Sequence, residues 1–244
     1  MRKIRLFLLT TLAVLCSTLT TWAAYNGTPD APTQISGNFA DYGLSADFDG
    51  YYVISTAAEL YGFAELVNGG TTSAKAVLTA NIVVNSNVLT AEGGLNGDGS
   101  NFEQWTPIGT NESQYQGTFD GNGHTISGLY FNNTTDGNYP DGGKYVGLIG
   151  VADGAEIKNV GVIGSYIRGY TSFGGICGVA SNSNITNCYN TGTVSGHNNT
   201  NAAGGICANG KTTTITNCYN IGKVTGRRSI GGICGVVGTQ INCY

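Results

Sequence analysis

The sequence predicts an all-β fold, a β-solenoid entered through one short α-helix. Three observations predict it. Residues 174–244 write one unit three times: GGICGVASNSNITNCYNTGTVSG, GGICANGKTTTITNCYNIGKVTG and GGICGVVGTQINCY. Gly175, Gly205 and Gly232 begin copies 30 and 27 residues apart, and a diverged copy at Gly147-Leu148-Ile149-Gly150 leads by 28. Within each unit the apolar runs are too short for helices, rich in β-branched residues, and broken by Gly, Asn, Ser and Thr. Such a period signals stacked units. With two or three short strands each, the units fit coils that pair edge to edge, bringing like side chains roughly 4.8 Å apart. The expected interior columns are Ile176–Ile206–Ile233, Ile185–Ile215–Ile241 and Val194–Val224. Each buried aliphatic side chain contributes about 1.5–3 kcal/mol before entropy. Glycine is expected at the corners, where positive φ or close backbone approach is needed.

Taken in order, residues 1–23 read as a secretory signal: Arg2, Lys3 and Arg5, an apolar run from Leu6 to Cys16, then Thr21-Trp22-Ala23 before a cut at Ala24. The run is too short and too threonine-rich for an anchor, and Leu15 stands where lipid attachment at Cys16 would need a small residue. Residues 24–47 are polar and aperiodic, with Pro29 and Pro32, and read as a flexible mature N-terminus. A strand follows at 51–54. Thr56 and Glu59 form a capping-box signature, and Leu60, Phe63, Ala64 and Val67 then mark one apolar helix face, stopped by Gly69-Gly70. This helix, 56–68, is expected to cover the open end of the first coil. Leu78 to Val84 supplies a strand, 86–104 a loop, and 105–109 and 118–131 further coils; 132–143 is a polar excursion. The organisation is thus signal 1–23, mature N-terminus 24–47, cap and first coils 48–141, and repeat coils 142–244. The last copy stops in mid-unit at Cys243-Tyr244, the expectation for a truncated chain.

The repeat region resembles the GLUG-motif repeats of bacterial surface proteins. Gly147-Leu148-Ile149-Gly150 carries the core, the GGIC copies are its variant, and I-T-N-C-Y-N is its second half. Trp105 to Gly109 and Gly117 to Leu129 extend the likeness upstream, so it covers roughly residues 50–244. The resemblance implies a right-handed parallel β-helix on a bacterial secreted or cell-surface protein. It implies little about activity. No His-Glu-x-x-His occurs, so the metallopeptidase that accompanies similar repeats in immunoglobulin A-cleaving enzymes is not found in this stretch.

Composition excludes some functions. Without the signal, eight basic residues face 15 acidic ones, which argues against general binding of nucleic acid or anionic membranes. No second apolar segment reaches membrane-spanning length. Charge is uneven: every acid lies at or before Glu156, and six basic residues follow, densest at Arg227-Arg228. That half reads either as uncharged turns with a few solubilising cations or as a weak attraction for anionic glycans. Cys177, Cys188, Cys207, Cys218, Cys234 and Cys243 come in one pair per copy. Their even number in a secreted chain allows disulfides, whereas Ile149 and Val160 in the diverged copy favour small buried hydrophobes. Their spacing does not suit zinc. His124 and His197 have no nucleophile arrangement around them. Glu92, Asp98, Glu103 and Glu112, then Asp120, Asp136, Asp141 and Asp153, are the carboxylates a β-helix glycosidase would need, against a reading as solvated loops. Calcium at Asp98 or Asp120 lacks the helix-flanked loop pattern. Tyr189, Tyr219 and Tyr244 follow the repeated Cys and are expected as an outward ladder that either meets sugars or proteins or stiffens the sheet. The reading names no catalytic, cofactor or metal residue. It expects a non-catalytic secreted or surface module for adhesion, recognition or spacing, with a host or surface glycan or protein as partner. The alternatives are a glycan-cleaving β-helix and a non-catalytic arm of a larger surface peptidase.

Overall fold

The computed structural model describes residues 27–133, 144–196, 202–236 and 238–244; the expected signal, His197, Asp136 and Asp141 lie outside them. The described chain is mostly β, with many parallel strands in stacked sheets, a solenoid-like arrangement. Five sheets hold the repeats, and successive strands visit them in a fixed order. Glu156–Lys158, Gly161–Ile163, Tyr166–Gly169, Ser172–Gly174 and Cys177–Ser181 take the first to fifth sheets in turn. Asn184–Thr186 then returns to the first sheet, parallel to Glu156–Lys158. The unit therefore carries five very short strands, not two or three, because each glycine pair divides what the sequence shows as one apolar run. Gly174 ends one strand and Cys177 starts the next.

The columns follow the register. Ile149, Cys177, Cys207 and Cys234 are direct partners, so Leu148, Ile176, Ile206 and Ile233, one residue before, stack beside them in the core. Phe131, Ile167, Val194 and Val224 form another column. The column of Ile157, Ile185 and Ile215 meets Gln240, not the expected Ile241. Ile241 faces Thr216 and is 45% exposed. The last copy has Gln-Ile where its predecessors have Ile-Thr, so matching isoleucine to isoleucine slips the strand by one residue and turns its faces over.

The corners follow the expectation only in part: Gly128, Gly154 and Gly164 take positive φ, but one corner uses another residue. Left-handed backbone between the first and second sheets is taken by asparagine: Asn159, Asn187, Asn217 and Asn242 have φ of 55°, 54°, 53° and 50°. Asparagine tolerates this region better than other residues with a Cβ. The glycines of GGIC serve close approach instead. A Cβ on Gly175 would lie 2.5 Å from the Gly205 carbonyl oxygen and 2.5 Å from Asn190 Cγ.

The helix, α1 (Ala57–Asn68), forms as the pattern predicts, with a full capping box between Thr56 and Glu59. Leu60, Phe63, Ala64 and Val67 are fully buried and join the core with Trp105, Tyr115 and Phe119 of the first coils. Phe63 packs edge-on against Tyr115 and Phe119 with centroids 6.1 and 6.2 Å away. Asn68 then ties the helix end to Pro107 and Gly109 through its side-chain amide. Upstream, residues 33–48 are packed where no period was legible. Thr33–Gln34 pairs antiparallel with Tyr52–Ile54, and Ile35 is buried beside Tyr51, Val53 and Val77. Phe39, Tyr42 and Phe48 from two 3-10 turns, with Leu44 from the link between them, close over that cluster, and their irregular spacing hides them from a search for helix or strand patterns.

Candidate interaction surface

The half-unit I-T-N-C-Y-N explains how the surface is built. Its isoleucine and cysteine point inward, and its threonine lies on the outer face. The first asparagine turns the corner, the tyrosine points outward, and the second asparagine turns back in. The corner asparagines bond in a chain: Asn242 Nδ2 donates to Asn217, Asn217 to Asn187, and Asn187 to Asn159 Oδ1, at 3.3, 3.3 and 3.0 Å. Asn159 donates onward to Asp120 Oδ1 at 3.0 Å. A second stack is internal. Asn190 Nδ2 donates to Asn220 Oδ1 at 2.8 Å, and each amide clamps its own turn through Gly192 or Gly222. A third runs from Thr212 through Asn182 to Asp153.

Tyr189 and Tyr219, the first two rungs of the expected outward ladder, stack. Tyr189 and Tyr219 lie parallel, 2° apart, with centroids separated by 4.9 Å. Tyr189 leans over Gly161, where a Cβ would come within 2.3 Å of its ring. Tyr219 is 41% exposed and Tyr244 85%. A cavity of about 480 Å³ beside them is lined by Asn217, Cys218, Tyr219, Asn242 and Tyr244. Stacking covers one face of each ring, so Tyr189, backed by Gly161, offers its edge and hydroxyl, while Tyr219 also lines the cavity.

The carboxylates are not drawn together as one set. Glu92, Asp98 and Glu103 are exposed on the 86–104 loop, and Glu112 is exposed in a turn held to the end of α1 by the Ser113 hydroxyl. Hydrogen bonds from the Ser100 amide and hydroxyl hold Asp98 below the usual carboxylate range. Asp120 and Asp153 each begin one of the asparagine chains, and Asp120 also pairs with Lys158 at 3.8 Å. The loop itself lies across the third sheet. Leu89, Leu95 and Phe102 pack with Val88 on Tyr130 and Tyr166, and the Thr193 hydroxyl donates to the Gly93 carbonyl at 2.7 Å. His124 sits in the turn after Asp120, its amide bonded to the Gly121 carbonyl. Among the described residues, no group of three or more His, Cys, Asp or Glu could hold a metal.

The six cysteines from Cys177 to Cys243 are free thiols in the structure. They stack with their own kind in neighbouring coils, as buried hydrophobes would. Burial pushes the Cys188 thiol up, and hydrogen bonding with Cys177 together with burial does the same for Cys207. Such thiols are poor nucleophiles.

Comparison with known proteins agrees with this unit structure. Residues 169–195 carry the GLUG motif. That motif is found in bacterial surface proteins. The match covers Cys177 to Val194, the segment that holds one full I-T-N-C-Y-N half-unit. Two curated proteins share part of the chain. A protein named as a Gly-rich membrane protein of Evansella cellulosilytica is 41% identical over 64 residues, 26% of this chain. Halomucin of Haloquadratum walsbyi is 34% identical over 102 residues, 41% of this chain. The matches span only 7% and 1% of those relatives' own lengths. Among solved structures, an immunoglobulin A1 protease-like protein from Bacteroides ovatus aligns at 17% identity over 80% of this chain and 75% of its own, with a TM-score of 0.35. Among the described residues no helix is long and apolar enough to cross a membrane.

Proposed function

We propose that this GLUG-motif chain is a non-catalytic module of a bacterial surface or secreted protein, a stiff right-handed β-helix for recognition, adhesion or spacing. One observation carries it. Inward columns and polar chains run in register through successive coils, so the molecule is reinforced along its axis and repeats its outer face. Right-handed winding is the expected hand for parallel strands joined by crossovers. The occurrence of the motif in surface proteins, and the names of the two partial relatives, support a surface location. The roles found for Asp120 and Asp153 weigh against a hydrolase, because both carboxylates already hold backbone corners in place.

The test is turnover. The purified chain is incubated with neutral and acidic polysaccharides while new reducing ends are counted. The reading expects none above a boiled control. Reducing ends that vanish in Glu92→Gln, Asp98→Asn or Glu103→Gln would overturn it.

A further inference from the structure

We propose that the groove between residues 85–89 and the outer face of the second sheet binds an uncharged polysaccharide. This deepens the module reading and rests on it. The groove has a volume of about 460 Å³, ordinary for a ligand cleft. Its floor is one outward column. Val83 pairs with Ser127 and Ser127 with Ile163, and Thr191 follows Asn190, the partner of Val162. Val83 and Thr191 are thus three strand spacings apart, about 14 Å. Gly128 and Gly164 continue the floor at the corner, with φ of 72° and 54°. A Cβ on Gly128 would run into the Asn85 carbonyl, so the wall rests directly on this corner; a Cβ on Gly164 would meet nothing within 4 Å. The wall is fixed in place. Asn85 Nδ2 donates to the Gly128 and Glu103 carbonyls at 2.9 and 3.0 Å, and its Oδ1 accepts from the Glu103 amide at 2.9 Å. Asn96 Nδ2 donates to the Asn87 carbonyl at 2.9 Å, and Val88 is buried with Tyr130 and Tyr166.

The lining selects the ligand. No residue of the groove is charged. The Glu103 carboxylate, whose backbone braces the wall, lies towards Gly27 instead. A charged polymer would give up hydration here without meeting a counter-charge. Among the described residues, no group bonds to the side chains of Ser86, Asn87 or Thr191. An amide and two hydroxyls are therefore open to a ligand that both donates and accepts. Val83, Ile163 and Leu89 add half-buried apolar surface between them. A sugar ring has the matching surface, with hydroxyls around its edge and C–H groups on its faces. Tyr189, two residues before Thr191, adds a ring edge and a hydroxyl on the same side of the sheet. A peptide is served less well. Strands Thr125–Ser127 and Gly161–Ile163 are bonded on both sides, so most of the floor has no free ladder edge to extend. A neutral track about 14 Å long suits a repeating polymer rather than one small molecule.

The experiment is affinity electrophoresis of the whole chain through native gels containing dextran, mixed-linkage β-glucan, galactomannan or polygalacturonate, at about 50 mM salt and again at threefold higher salt. Expected is retardation by at least one of the three neutral polymers, unchanged by salt. Asn87→Gly removes the amide and keeps the backbone, whose φ is 56°. Thr191→Val removes the hydroxyl at nearly equal size. Each should weaken binding about three- to tenfold with an unchanged melting curve. Gly164→Asn fills the open floor with a residue that tolerates left-handed backbone, and should abolish retardation. Thr186→Val, on the outer face of the first sheet, should change nothing. The proposal is overturned if none of the three neutral polymers retards the chain, or if Gly164→Asn binds as the parent does. It is overturned equally if Thr186→Val weakens binding as much as Thr191→Val. Polygalacturonate, or a fluorescent uncharged Ser/Thr peptide, that binds as tightly and loses its binding in Gly164→Asn would also overturn it. Each of these outcomes leaves the module reading standing, since that reading fails on reducing-end release.

Discussion

Replacing Ile215 and Ile241 separately by alanine tests the register on which the columns depend. The two residues occupy look-alike places in successive copies. In the structure Ile215 is fully buried between Ile185 and Gln240, whereas Ile241 is 45% exposed on the outer face opposite Thr216. Truncating a fully buried Ile to Ala costs about 2–5 kcal/mol, through lost transfer energy and a residual cavity. Ile215→Ala should therefore shift the folding equilibrium by about 30-fold to several thousandfold. An exposed truncation lies within about 0.5 kcal/mol of zero. The assay is urea denaturation followed by far-ultraviolet circular dichroism, with the slope compared between variants so that separate fraying of the last coil is detected. Equal losses at the two positions would refute the register. So would a larger loss for Ile241→Ala, because isoleucine would then align with isoleucine and the outer face of the last coil would be inverted.

The remaining expectations concern corners, cap and thiols. Gly175→Ala should destabilise by about 1–3 kcal/mol, since its Cβ meets the Gly205 carbonyl and the Asn190 side chain, whereas Gly232→Ala meets nothing within 4 Å and should be nearly silent in the same melt. Leu60→Asp should cost at least about 3 kcal/mol and expose the first coil to aggregation, seen by light scattering; a soluble, equally stable protein would show that α1 covers nothing essential. A chain of residues 24–244 should titrate six thiols when denatured and react slowly when native. Burial raises Cys188 and Tyr115, and hydrogen bonding with Cys177 raises Cys207, so these groups ionise more readily in the unfolded chain. The contribution of Cys188 and Cys207 is whole below the ordinary thiol value, about 8.5, and that of Tyr115 below the ordinary phenol value, about 10, each being lost as pH rises above it; stability rising with pH there would contradict the burial of these three groups.

Much of this was legible because a repeat exposes its own period. Ile176, Ile206 and Ile233 recur beside the same glycine pair, so their column follows from counting. The capping box and apolar face of α1 were equally plain, since both lie within four residues of their partners. What escaped notice had no local period. Residues 33–48 fold through isolated apolar contacts, and the 86–104 loop is anchored by Thr193, 100 residues from Gly93. The outward tyrosines and their stacking as a ladder were legible from the neighbouring cysteines; the shielding of Tyr189 by Gly161 was not. Asparagine as the left-handed corner residue could have been read from its recurrence before each cysteine of I-T-N-C-Y-N.

The uneven charge of the chain follows from the same stacking. Parallel coils place each side chain directly against its equivalent one strand spacing away, about 4.8 Å. Two like charges at close to 4 Å repel by about 4 kcal/mol at the dielectric of a protein surface. A repeat that kept an acid at a paired position would add that cost at every coil. The columns avoid it. Asp120 is followed by Lys158 and then by Thr186 and Thr216, and Glu156 is followed by Asn184 and Thr214. Asp120 and Asp153 each start a chain that asparagine continues, because an amide both donates and accepts and so can repeat where a carboxylate cannot. The acid-free half is thus a consequence of regular stacking. The cations of that half lie in turns, stand like Arg168 between neutral neighbours, or, like Lys158, face an acid of the preceding coil.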